Sequence, residues 1–415
     1  MSKNFIAVLY LIIFCFPASA HESIKLNDLI IDAIKNNNEI KELNYKYNAA
    51  KLRTPQEKSL DDPMLGFGFM DVPLNVAAFG TTSFTGVSLT LSQKIPYPEK
   101  LNLKGDMADI NASMNQEILF EKINEIKRKV KITYYDLLFI NKSIEITLKN
   151  KELLKEFTKI SEIKYITGRG LQQDIIKSNV EVSKLSQNLI ELNQKKLMSV
   201  FQINILLNRI PSSILPDPEE IKISSLKLSF KQMEKIALNK RPVLKQSDYS
   251  IDMSEHESHL AKLGYIPDFD FSLNYHAWTD RYDLVTGMVS INLPLWYKDK
   301  QDNKVRETQL NLIASKQNKK NTINDILLNI ANIGSEINKD RELYDLLTGG
   351  IIPQTKELVK SVIIGYQSGK TDFLTLVDSQ MSLFNYEIDA YKNLIEHEKA
   401  IAELEFQIGT ELVKR

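Results

Sequence analysis

Two widely separated stretches of this 415-residue chain say nearly the same thing. Tyr165-Ile-Thr-Gly168-Arg169-Gly-Leu-Gln-Gln-Asp174 through Ser178 returns as Tyr366-Gln-Ser-Gly369-Lys370-Thr-Asp-Phe-Leu-Thr375 through Asp378-Ser379, at a constant offset of 201 residues. Other pieces match at similar offsets: Pro63 to Phe67 with Pro267 to Phe271, and Ile95-Pro96 with Leu293-Pro294. A unit of half the chain is far longer than the ~20–50 residues of a solenoid repeat. The chain is therefore a tandem of two large halves, and whatever folds one half must fold the other.

Within each half the longest segments read as helices. From Leu101 to Thr167 there is no proline and one glycine, and apolar residues recur every three or four positions, as at Leu119, Ile123, Ile126 and Val130. That spacing lays an apolar stripe along one helical face. Leu171 to Arg209 is also free of breakers, as is Lys370 to Ile408, and Lys298 to Thr348 has no proline and one glycine, with Gly349-Gly350 and Pro353 predicting a break in the second half's first helix. Helices of this length call for coiled-coil packing. Each half thus predicts a helical hairpin that turns at its Tyr-x-x-Gly, where Gly168 and Gly369 permit a left-handed C-cap.

Four short segments instead alternate with period two, the strand signature. They are Met64 to Asp71, Thr85 to Ser92, Asp268 to His276 and Met288 to Leu293. Their apolar rows are Leu65, Phe67 and Phe69; Val87, Leu89 and Leu91; Phe269, Phe271 and Leu273; and Val289 and Ile291. Two half-buried hairpins in a soluble domain would account for the alternation. Strand lengths near ~9–11 residues and the end-placed aromatics Tyr97, Trp278, Trp296 and Tyr297 favour a transmembrane barrel with lipid on the apolar rows. Four strands cannot close, because membrane barrels have at least ~8 and open edges in hydrocarbon leave backbone groups unsatisfied. A spanning form must be an oligomer.

The first twenty residues, with Lys3, an apolar run from Phe5 to Phe16 and Ala18-Ser19-Ala20, read as a secretory signal peptide. A lipoprotein signal that acylates Cys15 is the alternative. Cys15 is the one cysteine, so its removal with the signal leaves no disulfide or thiolate metal site. No apolar run in the remainder reaches the ~18–20 residues of a membrane helix. Lysine plus arginine balance aspartate plus glutamate at 53 each, so no net field recruits nucleic acid.

Taken in order, these pieces resemble the TolC-like outer membrane factors of Gram-negative bacteria. The residues that carry the resemblance are Asp62-Pro63-Met64-Leu65, Leu91 through Pro96, Tyr165-x-x-Gly168 with Asp174, Arg241-Pro242, Tyr265 through Phe269, Leu293-Pro294-Leu295, Ile352-Pro353-Gln354, and Tyr366-x-x-Gly369 through Gln380. The resemblance implies a mainly α fold with a small membrane β part. A homotrimer would pool four strands per chain into a 12-stranded barrel in outer-membrane lipid, continuous with a long-helix α-barrel through the periplasm. The organisation it predicts is a signal peptide at 1–20 and a first repeat at 21–209, with strand hairpin 64–95 and helical hairpin 101–209 tipped near 165–174. A linker at 210–230 follows, in a mixed belt around the middle of the α-barrel, and then a second repeat at 231–415, with strand hairpin 267–295 and helical hairpin 298–409 tipped near 366–378. Pro96 and Pro294 mark the barrel-to-helix junctions.

The implied function is a passive exit duct, without cofactor or catalysis, fed by a periplasmic adaptor and an inner-membrane pump of the resistance-nodulation-division type. Tyr165, Gly168, Arg169 and Gly369 would form the adaptor-docking tips. Asp174, Tyr366, Lys370 and Asp378 would line or constrict the entrance. Thr375 replaces Asp174 in the second half, and Thr371 stands where some members carry an arginine that ties the closed entrance; Lys370 beside it is a candidate substitute. The Asp62-Pro63-Met64-Leu65 entry is most like the branch that serves heavy-metal cation pumps, while drug-efflux and type I protein-secretion branches share the architecture. A periplasmic coiled-coil adaptor that never inserts is the rival from another class, and it leaves the four strands unexplained. An enzyme is disfavoured by the absence of a nucleophile elbow, a phosphate loop or clustered metal ligands. His256 and His259, three apart, and the row Asp268, Asp270, His276 are read as solvated side chains in preference to metal ligands.

Overall fold

The computed structural model describes residues 23–72, 85–226 and 228–413; the segment 1–20, expected to be a signal peptide, and Cys15 within it lie outside them. Three short helices come first, α1 (Leu26–Asn36), α2 (Asn38–Lys51) and α3 (Arg53–Lys58), followed by strands β1 (Met64–Met70) and β2 (Gly86–Ile95). Next comes a helical hairpin, α4 (Pro98–Ile166) and α5 (Gln172–Leu206). After an irregular segment, α6 (Phe230–Lys240) and α7 (Pro242–Lys262) lead to β3 (Phe269–Trp278) and β4 (Leu284–Ile291). A second hairpin, α8 (Gln301–Leu346), α9 (Ile352–Gln367) and α10 (Phe373–Ile408), closes the chain.

The 69 residues of α4 correspond to a path of roughly 100 Å at ~1.5 Å per residue. The helix starts on Pro98 at its first turn, where the missing N–H costs nothing, three residues earlier than the sequence pattern suggested. In the second half the expected break at Gly349-Gly350 is not a break. Leu347–Ile351 forms a single π turn that joins α8 to α9. Pro353 cannot donate to residue 349 and would crowd its carbonyl, so widening the preceding turn lets the helix pass through. The space at Gly349 is open, a Cβ there meeting nothing within 4 Å, so the π turn does not depend on the missing side chain.

The four strands form one antiparallel sheet in the order β1-β2-β3-β4, so the two halves meet in the β2–β3 pair. Register unites the apolar rows: Phe67 lies across from Leu89, Leu89 from Tyr275, Leu91 from Leu273, Phe271 from Val289 and Phe269 from Ile291. The other face pairs Gly66 with Thr90, Ser88 with His276, Thr90 with Asn274, Asn274 with Thr286 and Asp270 with Ser290. The fourth strand begins at Leu284, four residues before the expected Met288, and ends at Ile291 instead of Leu293. Gly287, which takes a place in the apolar row opposite Leu273, had interrupted the alternation.

Three apolar clusters hold the helices. One packs α1 against α4, α5 and α10 through Leu29, Ile126, Val130, Leu137, Ile203 and Ile395. A second joins α6, α7, α8 and α10 through Ala237, Leu244, Ile330, Ile337 and Leu404. The third, near the hairpin turns, contains Leu154, Phe157, Leu185, Tyr366, Phe373 and Leu376. Full burial of such side chains contributes ~1.5–3 kcal/mol each. Among the described residues no helix is long and apolar enough to cross a membrane.

Candidate functional site: sheet face, junction and hairpin tips

The sheet presents the outward row to solvent in the single chain. Leu89, Leu91, Phe269, Phe271, Leu273, Val289 and Ile291 are between 42% and 60% exposed, and Val87 is half-buried. Among the described residues no element of the same chain covers this row. The opposite face holds a hydrogen bond from Thr90 to Asn274 at 2.5 Å, and a Cβ on Gly68 would lie 2.8 Å from the Ser88 hydroxyl.

Where the sheet meets the helices, Asp268 gathers three elements. It accepts hydrogen bonds from the Tyr97 backbone N–H at 3.1 Å and from Lys100 at 2.7 Å, while its own N–H donates to Asn292 at 2.7 Å. Lys100 also donates to the Ile266 carbonyl at 2.7 Å. The half-buried Pro96 and Pro294 flank this knot, Pro96 just before Tyr97 and Pro294 two residues after Asn292. These bonds join strand to helix, with the Lys100–Asp268 pair largely shielded from water.

At the far end both hairpins stop in the same way. Gly168 has φ +73° and Gly369 φ +75°. The Arg169 N–H reaches the Lys164 carbonyl at 2.8 Å and the Lys370 N–H reaches the Gly365 carbonyl at 2.8 Å, the six-to-one bond of a Schellman cap. Tyr165, Gly168, Arg169, Gly369 and Lys370 are exposed. Asp378 is exposed on α10 and Asp174 is half-buried in the first turn of α5. Asp372 caps α10 by accepting from the Thr375 N–H at 2.7 Å. Partial burial pushes the Asp174 carboxyl above its ordinary range, and the Asp372 charge adds to this against the opposing Lys164 charge. Hydrogen bonds from Thr375 hold Asp372 below its range.

Tyr366 sits between the two hairpins and is buried. Its hydroxyl is 3.0 Å from that of Ser161, and the Lys164 ammonium lies 3.8 Å from its ring centroid and donates to its carbonyl. Lys370 makes no ion pair among the described residues; at the tips Lys164 of the first hairpin reaches across to the second. Ser161 and Lys164 were missed because nothing local marks them: their role exists only across about 200 residues of chain. Lower down, Gln380 donates to Asn150 at 2.8 Å in a second buried tie between hairpins.

Among the described residues no group of three or more His, Cys, Asp or Glu is placed to hold a metal ion. His259 faces Glu99 at 3.2 Å, and the His256 ring bonds the Asp252 carbonyl at 2.8 Å.

The arrangement has counterparts among solved structures. The outer-membrane channel OprN superposes with a TM-score of 0.80 at 16% identity, over 92% of this chain and 89% of that one. The outer membrane protein VceC from Vibrio cholerae gives 0.80 at 12% identity, over 93% and 96%. The Campylobacter jejuni CmeC outer membrane channel gives 0.77 at 15% identity, over 92% and 85%. The chain has the TolC-like fold. No protein-family model and no curated protein sequence matches it, so the likeness is one of architecture.

Within the TolC-like fold of this chain, Arg241 at the joint between α6 and α7 is a further tie that Arg241-Pro242 only hinted at. It is 5% exposed, pairs with Glu121 of α4 at 2.8 Å and stacks 3.9 Å over the Phe406 ring of α10. Burial lowers its pKa, with the Glu121 and Glu403 charges opposing, and burial raises that of Glu121. One guanidinium thus links the start of the second half to the first half and to the C-terminal helix.

Proposed function

We propose that this chain is an outer membrane factor: a homotrimeric, passive exit duct that carries substrates from an inner-membrane pump and periplasmic adaptor to the exterior. The observation that carries this reading is a four-stranded sheet with one face apolar except at Gln93 and, among the described residues, uncovered and unpaired at both edges, set at the start of a helix roughly 100 Å long. An apolar sheet face of this extent is suited to lipid. Unpaired edges are not, because each unsatisfied backbone group in hydrocarbon costs several kcal/mol. Three copies resolve the conflict by joining β4 of one protomer to β1 of the next, giving twelve strands with the polar row of Ser88, Thr90, Asn274 and His276 on a wet lumen.

The two repeats, 21–209 and 231–415 about the linker 210–230, then alternate around the axis as six similar helical hairpins. Their tips, Tyr165, Gly168, Arg169 and Gly369, form the adaptor surface. Asp174 and Asp378 of three chains form an acidic ring near the entrance that favours cations, while Tyr366 holds neighbouring hairpins together and Lys370 stands at the rim. Pro96 and Pro294 set the passage from barrel to helices. Nothing in this reading requires a cofactor or a catalytic residue. Heavy-metal cations are the substrate class that the Asp62-Pro63 strand entry favours.

Reconstitution of the purified protein into planar bilayers tests the reading. Discrete conductance steps with cation preference are expected. A protein that stays in the aqueous phase and conducts nothing contradicts it.

A further inference from the structure

The two halves differ where strand gives way to helix. After β2 the chain enters α4 at once, with Tyr97 half-buried and Pro98 in the first helical turn. After β4 it instead makes a detour of nine residues, 292–300, before α8 begins at Gln301. The outward row of the sheet continues into this detour: Leu293 and Leu295 follow Ile291 at period two and are 60% and 68% exposed. The chain then turns on hydrogen bonds from the Asp299 and Lys300 N–H groups to the Trp296 carbonyl, at 3.2 and 3.1 Å. Trp296 is left 75% exposed and Tyr297 43%. Lys298 and Lys300 follow, both exposed. Lys304 is paired with Glu307 at 3.0 Å, and Asp302 accepts from the Tyr265 hydroxyl. Lys298 and Lys300 make no ion pair among the described residues, and with Asp299 between them they leave one net positive charge. A groove of about 650 Å³ opens beside Lys300, lined by Lys100, Gly264, Asp268 and Thr308.

We propose that residues 293–300 are an interfacial anchor that seats the inner rim of the barrel on anionic phospholipid, with Leu293 and Leu295 in the acyl region, Trp296 and Tyr297 at headgroup level, and Lys298 and Lys300 on a lipid phosphate. This rests on the outer-membrane reading above. Three features on one short segment select lipid as the occupant. The segment is continuous with the apolar sheet face. Its order, aliphatic then aromatic then basic, follows the polarity gradient of a membrane interface. Its single net charge matches that of one phosphodiester. A second copy of the chain would cover the aliphatic residues equally well but gives no reason for two unpaired lysines after an exposed tryptophan.

The chain has two tryptophans, so Trp278→Phe leaves Trp296 as the reporter. The full-length trimer carrying this substitution is reconstituted in vesicles of phosphatidylglycerol and phosphatidylcholine brominated at shallow or deep acyl positions. Blue-shifted emission that shallow bromines quench more than deep ones is expected. Emission that no brominated lipid quenches, in protein that floats with the vesicles, overturns the anchor alone; protein that does not float overturns the outer-membrane reading as well. In native mass spectrometry, Lys298→Gln with Lys300→Gln is expected to lose retained phosphatidylglycerol relative to phosphatidylcholine, while Lys304→Gln retains it. Equal retention by all variants removes the phosphate assignment.

Discussion

Placing arginine at Leu89 and at Thr90 separates the two faces of the sheet by one residue. The ten residues of β2 cover ~34 Å of strand path, or ~24 Å of depth at the ~45° tilt of a membrane strand, close to the ~25 Å of an outer-membrane apolar band. Leu89, fourth of the ten, then lies within ~4 Å of the midplane, where a lipid-facing arginine costs ~2–4 kcal/mol. Three protomers triple the penalty to ~6–12 kcal/mol per trimer, enough to abolish insertion. Thr90→Arg forfeits the 2.5 Å bond to Asn274, which is worth ~1 kcal/mol, and places its charge in the lumen. The assay is the amount of heat-resistant trimer in outer-membrane fractions. Leu89→Arg is expected to be lost and Thr90→Arg retained. Equal amounts of both would show that the apolar row does not face lipid.

Other consequences follow at the ties and tips. Asp174→Asn combined with Asp378→Asn is expected to reduce cation selectivity in planar bilayers; unchanged selectivity removes the acidic ring. Glu405→Gln breaks a buried pair in which Glu405 accepts from Lys131 at 2.5 Å and from the Leu412 and Val413 N–H groups. Leaving Lys131 unpaired costs ~3–5 kcal/mol, read as a lower thermal midpoint, and an unchanged midpoint refutes it. Gly369→Ala forces a Cβ into φ +75°, with open space around it, so the loss of ~1–2 kcal/mol is backbone strain alone; hydrogen exchange in residues 366–375 is expected to quicken, and exchange as slow as in the unmutated tip contradicts this. The tip also responds to pH. Asp174 has a raised folded pKa and binds its proton more readily folded than unfolded, so its contribution favours the folded tip below that pKa and is lost as pH rises through it. Asp372 has a lowered pKa and does the opposite, losing its capping contribution as pH falls through its folded value. Mild acidification therefore protonates Asp174 first, and Asp174→Asn is expected to flatten the pH dependence of tip exchange above the range where Asp372 titrates.

Period and punctuation made most of the architecture legible. The three-and-four spacing around Ile126 and the alternation around Leu89 each report a face buried or bathed in one medium, and that is a local property. The offset of 201 tied the two tips together before any contact was known. What stayed hidden depended on the absence of a side chain or on distance along the chain. Gly287 left a gap in an otherwise regular strand row, and Gly349-Gly350 read as a break where the helix passes through in a π turn ahead of Pro353. Tyr366 is placed by Ser161 and Lys164, Asp268 by Tyr97, Lys100 and Asn292, and Arg241 by Glu121 and Phe406. Each of those partners looks like an ordinary helix or junction residue until the halves are brought together.

In the proposed duct three copies close one barrel through the free edges of β1 and β4. Native mass spectrometry of the protein extracted from outer membranes in mild detergent tests it most directly. A species of three chains that persists at activation energies sufficient to strip the detergent is expected. A monomer recovered from the periplasmic fraction, with no trimer in the membrane extract, would contradict it.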